Sequence, residues 1–360
     1  PRLDKKIFIF VDESHFDKNW AVSGKIIYDK TKNIFLICTG SSSIDLEING
    51  DVARRSIKES IFPNNFNDYL LLKHNFKINS DFSNSLKNVL YYGDENYIEK
   101  AVNLEKEVYN NLFDLKKDID IEFIEFLKSF GFPLTLNHGE LRRYRRNFAV
   151  VNQVIERDIP LVQSFNTSSN NNIKKIIYYL ALAREGETSN QKIADYLSIS
   201  PKMVNEILNV LEKTQLIFSI KPYGGAGKIV RKQWKYYFLS PTLTGAINYY
   251  IGRFDLNNRT CLGKLAETFV ASTLFKMSQS FHLLDIFYPT AKKTSDFIIR
   301  TKFNNLVPIE VGIGKKTKSQ LTITMNKYGA DKGILISNRY NRIRYENNIL
   351  YLPLISFGFI

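Results

Sequence analysis

Two apolar pentapeptides near the start, Ile7-Phe8-Ile9-Phe10-Val11 and Ile34-Phe35-Leu36-Ile37-Cys38, constrain this chain more than anything after them. Neither alternates polar with apolar residues, so each reads as a strand covered on both faces, as in the parallel sheet of an α/β layer. A strand of that kind needs neighbours on both sides, and the first begins only six residues after Pro1. The natural polypeptide is therefore expected to extend further upstream. The first run ends in Asp12-Glu13 and the second in Thr39-Gly40-Ser41-Ser42-Ser43. Two carboxylates and a group of hydroxyls thus meet at the carboxyl edge of the sheet, where open α/β sheets bind ligands. Arg54 and Arg55 follow, then Phe62-Pro63 and an apolar stretch through Phe66, Tyr69 and Leu70.

Composition narrows the class. At 360 residues the chain has room for two or three domains, and 26 Phe with 20 Tyr supply ample surface to bury. Cys38 and Cys261 are the only cysteines and lie far apart, which excludes a disulfide framework and a cysteine-rich zinc site. Four scattered histidines argue against a histidine metal cage. No apolar run approaches the roughly 20 residues of a membrane span, so a soluble, cytoplasmic protein without a membrane partner is expected. Lys and Arg number 50 against 36 Asp and Glu, a net charge of +14. That sign favours polyanions such as nucleic acid, although the excess is spread along the chain in the manner of a Lys-rich compositional bias.

Between residues 76 and 163, charged and apolar types alternate at helical spacing, as in Leu104, Val108, Leu112 and Leu115, and predict a helical lid. Gly131-Phe132-Pro133 interrupts it, and Leu141-Arg142-Arg143-Tyr144-Arg145-Arg146 opens a further helix reaching Arg157-Asp158-Ile159. Ser164 to Asn172 reads as a linker. Beyond it come a helix from Ile173, a short helix after Ser189-Asn190, and the turn Ser198-Ile199-Ser200-Pro201. A longer helix follows with Val204, Ile207, Leu208 and Leu211 inward. Strand Leu216 to Ile220, a turn at Gly224 to Gly227 and a return strand Trp234 to Leu239 complete the order of a winged helix over 173–245. On such a module Lys202 and Asn205 face double-stranded DNA from the second helix, while Lys228, Arg231 and Lys232 offer phosphate contacts from the wing.

Residues 255–360 carry a third pattern. A helix through Gly263 to Ala271 contains Glu267, a strand starts at Ser295-Asp296, and another runs through Pro308-Ile309-Glu310-Val311. A final strand, Gly333 to Ser337, closes the set. Helix Glu, strand Asp and strand Glu is the carboxylate order of the restriction-endonuclease-like fold, in which Asp and Glu hold a divalent metal. Gly312 stands where that fold places its lysine, so Lys315 or Lys316 would have to reach back from the next loop. The three carboxylates are expected to converge at one sheet edge around a metal ion or Lys315, with nuclease activity weak or absent.

The ordered set at the start resembles the Walker B strand, sensor strand and arginine-finger region of AAA-type ATPases. Across the whole chain the order is similar to a prokaryotic AAA-type P-loop ATPase family with a C-terminal domain of unknown function. The resemblance implies a partial ATPase core over 1–75, a helical lid over 76–163, the winged helix, and a nuclease-like α/β domain. It further implies that Asp12 holds Mg²⁺ on bound ATP, Glu13 polarises the attacking water, and Thr39 or Ser41 orients it. Arg54 or Arg55 would then offset transition-state charge, which allows a homo-oligomer built on arginine-finger contacts. No Gly-x-x-x-x-Gly-Lys-Ser/Thr occurs in the sequence, and Ile229 follows the lysine of Gly224-Gly225-Ala226-Gly227-Lys228 where a hydroxyl is required. The phosphate loop is accordingly expected upstream. The competing readings are a DNA-binding or protein-interaction module built on an ATPase remnant, and an active metal-dependent nuclease.

Overall fold

A computed structural model describes residues 5–17, 19–40, 54–183, 189–255, 258–281, 284–314 and 318–360. Strand β1 (Ile7–Val11) and strand β2 (Ile34–Cys38) pair in parallel, Ile7 opposite Ile34 and Val11 opposite Cys38, with helix α1 (Trp20–Lys30) as the crossover. Cover on both faces, expected from the apolar runs, is not what forms. Gly24 of α1 approaches Leu36 on one face, while Phe8 and Phe10 stand 61% and 72% exposed on the other. Among the described residues these strands pair only with each other, so a single helix is the layer available to them.

A helical layer follows: α2 (Phe66–His74), α3 (Ser80–Tyr92), α4 (Glu95–Asp114), α5 (Ile119–Ser129) and α6 (Glu140–Gln153). A π-turn over Val154–Asp158 leads from α6 into α7 (Ile159–Val162). The starts are encoded locally, because Asn65, Asn79, Asp94 and Asp118 each accept an orphan amide of the turn they open. Helix α2 packs into this layer rather than onto β1 and β2. The Phe66 ring lies 4.9 Å from Phe123 and 5.5 Å from Phe126 and Phe359, a burial worth about 2–3 kcal/mol. The break after α5 needs glycine: a Cβ at Gly131 would collide with Ser240 Oγ, and the Gly131 amide donates to Thr242 Oγ1 at 2.9 Å.

The stretch expected to be a linker is a helix start. Helix α8 (Thr167–Leu182) begins inside it, with Asn166 accepting from the Ser169 amide at 2.9 Å. Ser and Asn favour caps as strongly as linkers, so composition alone misplaces the boundary. Helices α9 (Asn190–Leu197) and α10 (Pro201–Lys213) follow as expected, capped by Ser189 and Ser200. Strand β3 (Ile217–Pro222) comes next. The glycines then lead into a short helix, α11 (Ala226–Arg231), in place of a simple turn. The return strand β4 (Lys235–Phe238) is shorter than expected, and Trp234 lies outside it with Nε1 donating to the Ile229 carbonyl at 3.1 Å.

Helices α12 (Pro241–Tyr250) and α13 (Arg259–Phe281) lead into strands β5 (Asp285–Tyr288), β6 (Phe297–Arg300) and β7 (Leu306–Gly312). Helix α14 (Ser319–Tyr328), strands β8 (Gly333–Ser337), β9 (Arg344–Glu346) and β10 (Ile349–Pro353), and α15 (Leu354–Phe357) end the chain. Strand β8 does not close the pattern: β10 adds to it in parallel and β9 forms the edge. The result is one eight-stranded mixed sheet of order β4-β3-β5-β6-β7-β8-β10-β9. Helix α13 covers one face, where Ala266, Phe269 and Val270 share a core with Phe297 and Ile309. Helix α14 covers the other, with Leu321 packed beside Leu335. Among the described residues no helix is long and apolar enough to cross a membrane.

Candidate functional site

At the carboxyl edge of β1 and β2 the chain builds a small hydrogen-bonded unit. Thr39 Oγ1 donates to Asp12 Oδ1 at 2.5 Å and accepts from the Glu13 amide at 3.2 Å. The Ser14 amide and hydroxyl both donate to the Thr39 carbonyl, at 2.8 and 3.0 Å. Parallel register brings these residues level, since Val11 lies opposite Cys38 and the next residue of each strand follows. Glu13 adopts a left-handed conformation, φ 51° and ψ 42°, which turns the chain sharply after Asp12. Asp12 is exposed, and its Oδ2 accepts no hydrogen bond among the described residues.

Other members of the expected set lie elsewhere. Ser41 falls outside the described residues. Arg55 Nε reaches Asp29 Oδ1 at 3.2 Å, next to the last residue of α1. Because α1 runs back across the sheet, that end lies about a strand length, roughly 13 Å, from the Asp12 edge. Arg54 is exposed in the same turn.

The C-terminal acids are brought together only in part. Phe297 pairs with Ile309, so the antiparallel register sets Asp296 opposite Glu310. Asp296 Oδ2 accepts from the Val311 amide at 2.7 Å, and Glu310 is completely buried. Ile309 faces α13, so alternation turns Glu310 to the other side with its register partner Leu335, beneath α14. Glu267 sits on α13 and accepts from Tyr237 Oη at 2.9 Å. The expected convergence of all three is thus split between the two faces. Among the described residues no group of three His, Cys, Asp or Glu side chains could hold a metal ion. Lys315 lies outside the described residues.

The basic residues expected to face DNA are on the surface. Lys202 and Asn205 are exposed on α10, with Asn190 Nδ2 donating to Asn205 Oδ1 at 3.3 Å. Lys228, Arg231 and Lys232 are exposed on and just after α11. The hairpin is not free-standing, because β3 pairs with β4 on one side and with β5 on the other, Lys221 opposite Phe287. Lys221 lies over the Trp234 ring at 5.1 Å, and Arg300 over Phe287 at 5.4 Å. The hairpin is readable in sequence, but its union with a strand more than sixty residues later is not.

One polar cluster has no sequence signature at all. Tyr69 Oη, Lys73 Nζ and His74 Nε2 all meet Glu122 Oε2, the last two at 2.9 and 3.0 Å. Burial alone would raise the Glu122 carboxyl. Hydrogen bonds from Tyr69, His74 and Lys73, with the Lys73 charge, instead hold it down at about 2. It joins α2 to α5, two elements some fifty residues apart.

A family model described as a domain of unknown function, DUF8612, matches residues 130–253, from the end of α5 through α12. The uncharacterized protein MJ1637 of Methanocaldococcus jannaschii is 31% identical over 350 residues, which cover 97% of this chain and 70% of that protein. No solved structure matches the chain.

Proposed function

The chain belongs to the family of the uncharacterized Methanocaldococcus jannaschii protein MJ1637, and we propose that it supplies the acidic half of an AAA-type ATP-hydrolysing site. In this reading the site is joined to a DNA-contacting winged helix and to a restriction-endonuclease-like domain without nuclease activity. The observation that carries the ATPase reading is the Asp12–Thr39 hydrogen bond across the ends of two parallel strands, with the Glu13 amide on the same hydroxyl.

The donor set suits a hard cation, since Asp12 keeps one carboxylate oxygen free at an exposed sheet edge. Mg²⁺ bound with ATP would neutralise phosphate charge, and Asp12 would hold it. Thr39 commits its proton to Asp12, so it positions that carboxylate, and the water is left to Glu13 and to the hydroxyls beyond Gly40. The left-handed turn at Glu13 sets its side chain apart from Asp12, which suits two carboxylates with different tasks. Arg55, bound to Asp29 away from this edge, would act on the site of a neighbouring copy rather than on its own. The reading requires a phosphate-cradling loop outside these 360 residues. The relative is longer than the region matched, so it has room for one.

Exposed Lys228, Arg231 and Lys232 support DNA contact by the wing, and the split of Glu267 from Asp296 and Glu310 supports an inactive nuclease-like domain. In the protein extended by its upstream part, Glu13→Gln should lower ATP turnover by about a hundredfold or more while ATP binding persists. Turnover that survives this change would defeat the assignment.

A further inference from the structure

Between α3 and α13 lies a cavity of about 610 Å³ that none of the residues discussed above lines. Its wall carries two cations, Lys87 from α3 and Lys276 from α13, with Asn84, Asn88 and Ser280 beside them and Tyr92 at its edge. Both lysines are half-buried, and neither ammonium makes an ion pair with a carboxylate among the described residues. Two such charges facing one space repel each other, and each loses hydration there. Burial pulls the Lys87 ammonium below its ordinary value and the Lys276 charge pulls it further, against a weaker opposing effect from Asp68.

An anion between the two lysines would offset their mutual repulsion. Amide and hydroxyl donors around the lysines match an acceptor-rich group with several oxygens. We propose that this cavity binds a small phosphate dianion, free or as a phosphomonoester, clamped between Lys87 and Lys276. A polymeric phosphodiester carries one charge per phosphate, whereas a phosphate dianion matches the two lysine charges that line this single pocket. The site is separate from the Asp12–Thr39 edge and stands or falls independently of the ATPase reading.

Titration calorimetry of the folded chain with inorganic phosphate, at fixed ionic strength, tests this. Saturable binding with one site per chain is expected, weakened roughly tenfold or more by Lys87→Met and by Lys276→Met. Lys77→Met, at an exposed position nearby, should leave it unchanged. The same protein with carbon-13 dimethylated lysines gives a second readout needing no variant: phosphate should shift the Lys87 resonance and raise its titration midpoint. No saturable binding at millimolar phosphate, equal weakening by Lys77→Met, an unmoved Lys87 signal, or displacement of phosphate by a short single-stranded oligonucleotide would each overturn the proposal.

Discussion

Glu122 shows how much a single residue can hold. Its carboxylate takes donors from Tyr69, Lys73 and His74, and its folded value of about 2 lies well below the 4.5 of a free glutamate. A depressed carboxyl stabilises the fold above its unfolded value and loses that contribution as pH falls through the folded one. Urea unfolding followed by circular dichroism should therefore show stability declining between pH 4.5 and about 2. In Glu122→Gln the part of that decline due to this group should vanish; a variant with the wild-type pH profile would contradict the assignment. At this scale sequence reading was uneven. The Asp12-Glu13 and Thr39 positions stood out because strand ends are recognisable, and the structure places their backbone level. Glu122, Lys87 and Lys276 did not stand out, since each owes its environment to a partner helix distant in sequence.

Elements were legible wherever a local rule governs them. Capping side chains and Pro201 mark helix starts that the structure reproduces, and the apolar runs of β1, β2, β7 and β8 all form strands. The failures share one cause, which is that neighbours decide what local pattern leaves open. Ser and Asn after residue 164 serve α8 as a cap, and β9, three residues long, forms only as the antiparallel edge partner of β10. The wing illustrates a further consequence. With β3 paired on both sides, the connection that carries α11 starts from a strand fixed within the sheet. Under the DNA-binding reading, the logarithm of duplex affinity should fall linearly with the logarithm of salt concentration. Replacing Lys228, Arg231 and Lys232 with Ala should flatten that slope by about 0.9 for each phosphate contact removed. Fluorescence anisotropy against salt measures it, and an unchanged slope would leave the helix-turn-helix as a spacer between domains.

Across the whole molecule, segments far apart in sequence share one sheet and one core. The β3–β4 hairpin is the edge of the sheet that carries Asp296 and Glu310, and Phe66 and Phe359, far apart in sequence, pack 5.5 Å apart. Among the described residues β1 and β2 form a small sheet of their own, with an apolar face turned outward. The account assigns that small sheet the acid half of an ATP site in which Thr39 acts through Asp12. The measurement that tests this most directly is a double-mutant cycle on single-turnover ATP hydrolysis by the extended protein, using Asp12→Asn, Thr39→Val and the pair together. If the two residues form one unit, the double variant should be no slower than Asp12→Asn alone. Losses that multiply as for independent residues, or hydrolysis untouched by Asp12→Asn, would contradict it.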